Sequence, residues 1–256
     1  MINLNNINKI FKNPFVIFEV ENFLNDNDFN KIKNEFFDLD DHLKKKFEGV
    51  RENKDLKFCV NSFNPEYQNY IISNPILKQL HEEIVSEKFM NYLFQNLSFD
   101  MLSSKIYNFF HFVKLLKFKQ LEHKRLNKFS FYDLINLKKK INIQLEFSWM
   151  QSNSLLIPHT DAPNKLLSLM LYFPDDDNYL WENIGTTYWD YKKNNYKNIY
   201  PETGTFETKA KVLHQNKFEG KKLFGFIKNH RSWHSVPKLT LPKNKFRKSI
   251  NINLLF

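Results

Sequence analysis

The sequence predicts a mainly β protein with flanking helices, an α+β fold whose C-terminal half is an antiparallel barrel or sandwich. Two observations predict it. From Ile141 onward, Ile141, Ile143, Leu145, Phe147 and Trp149 alternate with Asn142, Gln144, Glu146 and Ser148, and further short apolar runs follow with turn material between them. A period of two marks a half-buried strand. Before Ile141, apolar residues instead recur every three or four positions, which marks helices laid on a core.

The elements follow in order. Phe15, Val16, Ile17, Phe18 and Val20 form a short β-branched and aromatic run, read as a strand. Asn25 to Asp28 then supplies helix-capping chemistry, and Phe29, Ile32, Phe36 and Phe37 share one face of the helix it opens. A second helical stretch starts after Pro75 and carries Leu77, Leu80, Ile84, Phe89, Tyr92 and Leu93 at the same spacing. Residues 103–140 hold ten Lys or Arg against Glu122 and Asp133, interleaved with Phe109, Phe110, Phe112, Leu115 and Phe118. This segment reads as a helix with a solvated basic face, or as a lid or docking surface for an anionic partner.

Beyond the strand at 141–149, strand-like runs are expected at Leu155 to Ile157, Leu166 to Phe173, Thr186 to Trp189, Leu223 to Ile227 and Phe246 to Leu255. Pro174 with Asp175 to Asn178, and Glu219 with Gly220, provide turns. One domain spanning 1–256 is expected, with a helical support region at 1–140, a β core at 141–256 and an insertion at about 190–218.

Composition narrows the function classes. The 27 Phe and 42% hydrophobic residues are enough to build a core. The net charge of +10 would suit an anionic partner, but Lys, Asn, Ile, Phe and Tyr are all abundant while Gly and Ala are scarce, the residue bias of an AT-rich genome. No zinc-finger or RNP-type motif is visible, so nucleic acid is not expected as a partner. Cys59 is the one cysteine, which excludes an internal disulfide and argues against a cysteine-based metal site. The N-terminus has no continuous apolar core like that of a signal peptide, and no apolar run approaches a membrane span, so a cytoplasmic protein is expected.

The chemistry centres on His159, Thr160 and Asp161, directly after a strand-like run. A two-residue offset puts His159 and Asp161 on the same side of an extended segment, where an imidazole and a carboxylate can reach one ion. His234 lies just beyond the apolar run 223–227 and can complete the set if the strands are neighbours; His230, four residues earlier, competes for the same role. Two His and one carboxylate leave coordination positions open, which suits Fe(II), although zinc accepts the same ligand types. Arg247 follows thirteen residues after His234, on one strand face with Ser249 and Asn251, while Ile250 and Ile252 take the other. A guanidinium inside a β fold is costly unless it meets an anion, and its fork matches a carboxylate.

The segments PHTDAPNKLLSLMLYFP, IGTTYW, LFGFIKNHRSWHSVP and FRKSINI resemble the successive core strands of the 2-oxoglutarate- and Fe(II)-dependent oxygenases, in the prolyl hydroxylase-like branch. NPFVIFEVENFLNDNDFNKI resembles the first strand and helix of that branch. The resemblance implies a double-stranded β-helix, a jelly-roll or cupin-like barrel, with N-terminal helices packed on one sheet. It further implies that Fe(II) is held by His159, Asp161 and His234, with WHSVP favouring His234 over His230. The cosubstrate 2-oxoglutarate would chelate iron and pair its distal carboxylate with Arg247, helped by Ser249 and Tyr172 and more weakly by Asn251. Turnover would consume O2 and yield succinate and CO2, with ascorbate a candidate reductant. Because Asp161 fills the position that halide takes in related halogenases, hydroxylation of a peptide, amino acid or small metabolite is expected. The family's Gly-Gly-Glu-Thr stretch is reduced here to IGTTYW, and Trp149 stands near the position where some members carry a cosubstrate-binding Tyr. Two other readings stay open: a catalytically silent metal- or ligand-binding cupin-like protein, and a basic protein that binds nucleic acid or membrane surfaces through residues 103–140. The sequence is silent on oligomeric state.

Overall fold

A computed structural model describes residues 1–47, 57–116, 141–162, 164–175, 183–192 and 206–255. Its strands are β1 (Asn8–Phe11), β2 (Ile17–Val20), β3 (Lys57–Asn61), β4 (Asn142–Gln151), β5 (Leu156–His159), β6 (Lys165–Phe173), β7 (Thr187–Asp190), β8 (Lys211–Gln215), β9 (Leu223–Ile227), β10 (Trp233–Val236) and β11 (Phe246–Leu255). They pair antiparallel into a seven-stranded sheet, β1-β2-β9-β6-β11-β4-β3, and a four-stranded sheet, β5-β10-β7-β8. The result is jelly-roll-like: two sheets, mainly β, with helices outside. Among the described residues the ladders end at β1 and β3 in one sheet and at β5 and β8 in the other, so the expected barrel is an open two-sheet arrangement.

The larger sheet has two working faces. One carries Phe18, Leu145, Phe147, Trp149, Leu167, Leu169, Ile250 and Ile252 into a core shared with the N-terminal helices. The other carries Ile17, Met150, Met170 and Phe226 toward Tyr188 and Val236 of the smaller sheet. Because both faces of β6 and β11 are covered, almost every residue of these strands is buried, including polar ones.

The helices are α1 (Asp26–Glu35), α2 (Asp41–Phe47), α3 (Pro65–Tyr67, continued as a π turn over Gln68–Ile72), α4 (Pro75–Ile84), α5 (Glu87–Leu116) and α6 (Phe206–Lys209). Asn25 caps α1 by accepting from Asp28 N at 2.9 Å, as its position in the sequence predicts. The helix stops before Phe36, whose backbone leaves helical geometry and turns its ring onto Phe147, Trp149 and Phe173. The second helical stretch divides at Val85–Ser86, where Ser86 Oγ accepts from Phe89 N and starts α5. Helix α5 carries the basic segment as far as Leu116; residues 117–140, and residues 193–205 of the expected insertion, lie outside the described residues. No described helix is long and apolar enough to cross a membrane.

Trp149 anchors the helical face. It is fully buried, its Nε1 donates to Phe37 O at 2.9 Å, and its ring lies 5.1–5.7 Å from those of Phe36, Phe37 and Phe47. It therefore faces away from the space between the sheets, into which its neighbours Ser148 and Met150 project. Trp149→Ala is expected to cost about 3–5 kcal/mol, the usual penalty for emptying a large aromatic site, measured by urea unfolding.

Candidate metal centre

His159 ends β5 and His234 sits in β10, and the two are directly opposite in the antiparallel ladder. Directly opposed positions bring side chains on one face together, and the ring centroids are 4.3 Å apart. Asp161 follows His159 by two residues and returns to the same side, with Oδ1 3.9 Å from His234 Nε2. One ligand atom from each of His159, Asp161 and His234 lies within 4.8 Å of the others. His230 is buried but belongs to no such group among the described residues.

The surroundings fix the chemistry of these three. His159 Nδ1 lies 2.9 Å from Ile157 O, and His234 Nδ1 lies 3.0 Å from Ser232 O. A carbonyl only accepts, so each Nδ1 carries the proton and each Nε2 presents its lone pair. Burial, with the neighbouring His234, lowers the His159 pKa to about 3, and burial likewise lowers that of His234. Both rings are thus neutral near pH 7, as a metal ligand must be. Burial opposes ionisation of Asp161, but the Lys165 ammonium beside it outweighs burial and holds its carboxyl well below the usual range. Lys165 Nζ donates to Asp161 Oδ1 at 2.9 Å and Ser168 Oγ to Oδ2 at 2.7 Å.

Sequence reasoning passed over both of these partners. Ser168 was detectable as the single hydroxyl in the apolar run LLSLML. Ser168→Ala leaves the ligands in place but frees the carboxylate to rotate, and is expected to weaken divalent-metal binding about tenfold, read by isothermal calorimetry with Mn(II).

Arg247 is the second residue of β11, opposite Met150 of β4. It is buried, its Nε donates to Ile184 O at 2.6 Å, and its guanidinium lies 5.0 Å from the Tyr172 ring and 5.1 Å from that of Phe218. Among the described residues it forms no ion pair with a carboxylate. Burial disfavours its charged form. The Tyr172 hydroxyl is 2.8 Å from Thr186 Oγ1 and also accepts from Thr186 N. Ser249 pairs with Tyr172 across the β11–β6 ladder and lines the same cavity as Arg247. Asn251, one step further along that face, instead donates to Glu146 Oε1 at 3.0 Å. A cavity of about 220 Å³ joins His159, Asp161, His234, Ser168, Thr186, Arg247, Ser249 and Asn251.

No protein-family model matches the sequence, and no curated protein matches it. Solved structures do. The chain is similar to a prolyl-4-hydroxylase from Pseudomonas putida, at 12% identity over 94% of this chain and 92% of that one, with a TM-score of 0.44. It is similar to a 2OG-Fe(II) oxygenase family oxidoreductase from Burkholderia pseudomallei, at 8% identity over 95% and 85% of the two chains, with a TM-score of 0.45. A Trichoplax adhaerens prolyl hydroxylase, in complex with a hypoxia inducible factor oxygen degradation domain peptide fragment, is also similar, at 14% identity over 95% and 84%, with a TM-score of 0.41.

Proposed function

We propose that this protein is an Fe(II)- and 2-oxoglutarate-dependent oxygenase, acting as a hydroxylase. The observation that carries this reading is a single cavity that presents a His-Asp-His group and, apart from it, a buried guanidinium without a carboxylate partner among the described residues. The donor set fits the metal: two neutral imidazoles and one carboxylate suit Fe(II) while leaving positions for other ligands. A hydrolytic zinc site would account for the three ligands but not for Arg247, since a buried cation calls for an anion.

Each residue then has a task. His159, Asp161 and His234 hold the metal. Ile157 O and Ser232 O orient the imidazoles, and Lys165 and Ser168 orient the carboxylate. Arg247 takes the distal carboxylate of 2-oxoglutarate, with Ser249 beside it and the Tyr172–Thr186 pair fixing the wall below its guanidinium. Leu156, Met170, Phe226 and Val236 line the same cavity and keep water from the reacting centre. Bound there, iron supplies the oxidation chemistry in which 2-oxoglutarate and O2 become succinate and CO2 as the substrate is hydroxylated.

The test is metal-dependent binding of 2-oxoglutarate without oxygen, followed by succinate release on admitting O2. Binding that needs both metal and anion supports the reading; protein that binds neither sinks it.

A further inference from the structure

The cavity changes character along its length, and the change is written into two strands. On the face of β4 and β11 that meets the helices, Lys248 donates to Phe36 O, and beyond it the side chains Leu145, Phe147, Trp149, Ile250, Ile252 and Leu254 are all buried and apolar. On the cavity face, the same strands present Gln144, Glu146 and Ser148 beside Ser249, Asn251 and Asn253. The inner face between two packed sheets is ordinarily apolar. Here the walls turn polar beyond Ser249, away from Arg247.

At the centre of this stretch is an ion pair. Lys57, from the edge strand β3, reaches along the sheet to Glu146 with an N–O distance of 2.7 Å, and the two side chains are only 12% and 15% exposed. Asn251 donates to the same Glu146 oxygen at 3.0 Å, and Asn253 donates to Gln144 at 3.3 Å. Burial opposes the charge on Glu146, but Lys57 and Asn251 hold its pKa at about 2. A partly buried ion pair contributes little to stability compared with apolar residues of the same size. Stability alone is therefore a weak reason for placing it on this face.

Resting on the oxygenase reading above, we propose that Lys57, Glu146 and Asn251 form the substrate subsite, and that it takes the charged head group of a free amino acid or similarly small zwitterion. A ligand with one ammonium and one carboxylate can engage Glu146 and Lys57 together without leaving either charge unmatched. An anion alone would meet Glu146 as a like charge, a cation alone would meet Lys57 as one, and a neutral blocked group would forgo a charge-assisted contact. The cavity size agrees: about 220 Å³ is below the roughly 300 Å³ at which pockets for drug-sized ligands begin. With 2-oxoglutarate in place, the space left inside the cavity suits a small head group.

The experiment uses wild-type protein loaded with Mn(II) and 2-oxoglutarate without oxygen, titrated calorimetrically with a panel of the common free L-amino acids. Each amino acid that binds is then compared with its N-acetyl derivative and its primary amide. At least one free amino acid is expected to bind, with either blocked form at least about tenfold weaker, as loss of one charge-assisted hydrogen bond implies. The double variant Lys57→Gln with Glu146→Gln, which removes both charges and strands neither, should weaken the same amino acid by a similar factor and leave 2-oxoglutarate affinity within about twofold. No binding by any free amino acid, equal binding of blocked forms such as a peptide would offer, or an unaltered double variant would each overturn the proposal. The blocked-ligand comparison needs no variant, so it stands even if the double variant does not fold. Absence of metal-dependent 2-oxoglutarate binding in the wild type is a separate readout; it overturns the oxygenase reading and this assignment with it.

Discussion

Asp161→Asn should lower Fe(II) affinity by more than about 100-fold and abolish succinate formation while leaving the fold intact. Loss of a residue that only orients a metal ligand already costs 10–100-fold, and Asp161 is itself the sole carboxylate in the His-Asp-His group. The amide keeps the size of the side chain, and its oxygen still accepts from Ser168, so local packing survives. What disappears is the negative charge. The site then consists of two neutral imidazoles facing the Lys165 ammonium, and a divalent cation entering it meets repulsion without compensation. The Asp161–Lys165 pair involves a lysine that is 23% exposed, so its loss should lower stability by only about 1 kcal/mol. Anaerobic Fe(II) titration checks the first expectation and thermal unfolding of the metal-free protein the second. Undiminished metal binding in the variant would remove Asp161 from the ligand set.

How much of this could be read from the chain depended on whether a signal was local. Strand alternation put Leu145, Phe147 and Trp149 on one face, and the structure buries all three against the helices. The same logic separates Arg247, Ser249 and Asn251 from Ile250 and Ile252. Asn25 and Pro75 announced their helices because capping is decided within one turn. By contrast, β1, β3, β8 and β10 have four or five residues each, too few for a pattern to stand out; even the alternation of Phe58 and Val60 in β3 covers only two buried positions. They exist because a neighbouring strand supplies their hydrogen bonds, which no short window reveals. That is why the role of Lys57 was invisible: it reaches Glu146, 89 positions away, from an edge strand whose partner no short window identifies. Glu146 was visible only as one of the polar residues that alternate along its strand. Asn251 shares a face with Arg247, but alternation fixes a face and not a distance along it, and the residue joins Glu146 at the other end of the cavity.

Arg247→Met is expected to separate binding from stability. In the proposed site, the guanidinium makes a bidentate contact with the distal carboxylate of 2-oxoglutarate, and each charge-assisted bond is worth about 1.5–3 kcal/mol. Losing both should raise the Kd for 2-oxoglutarate by at least about 100-fold. Metal affinity should hardly change, since Arg247 is not within the His-Asp-His group. Without cosubstrate, stability should move little or even rise. The substitution forfeits the hydrogen bond to Ile184 O, about 1 kcal/mol, with a weak one to Met150 Sδ and the contacts with the Tyr172 and Phe218 rings, but also removes a buried charge that no carboxylate among the described residues offsets. Arg247→Lys retains charge without the fork and should recover only part of the affinity. If Arg247 were a structural anchor, the signs would reverse: Arg247→Met would unfold the protein readily, and added 2-oxoglutarate would stabilise variant and wild type alike. Thermal unfolding with and without 2-oxoglutarate distinguishes the two cases, because a ligand stabilises only the folded state that binds it.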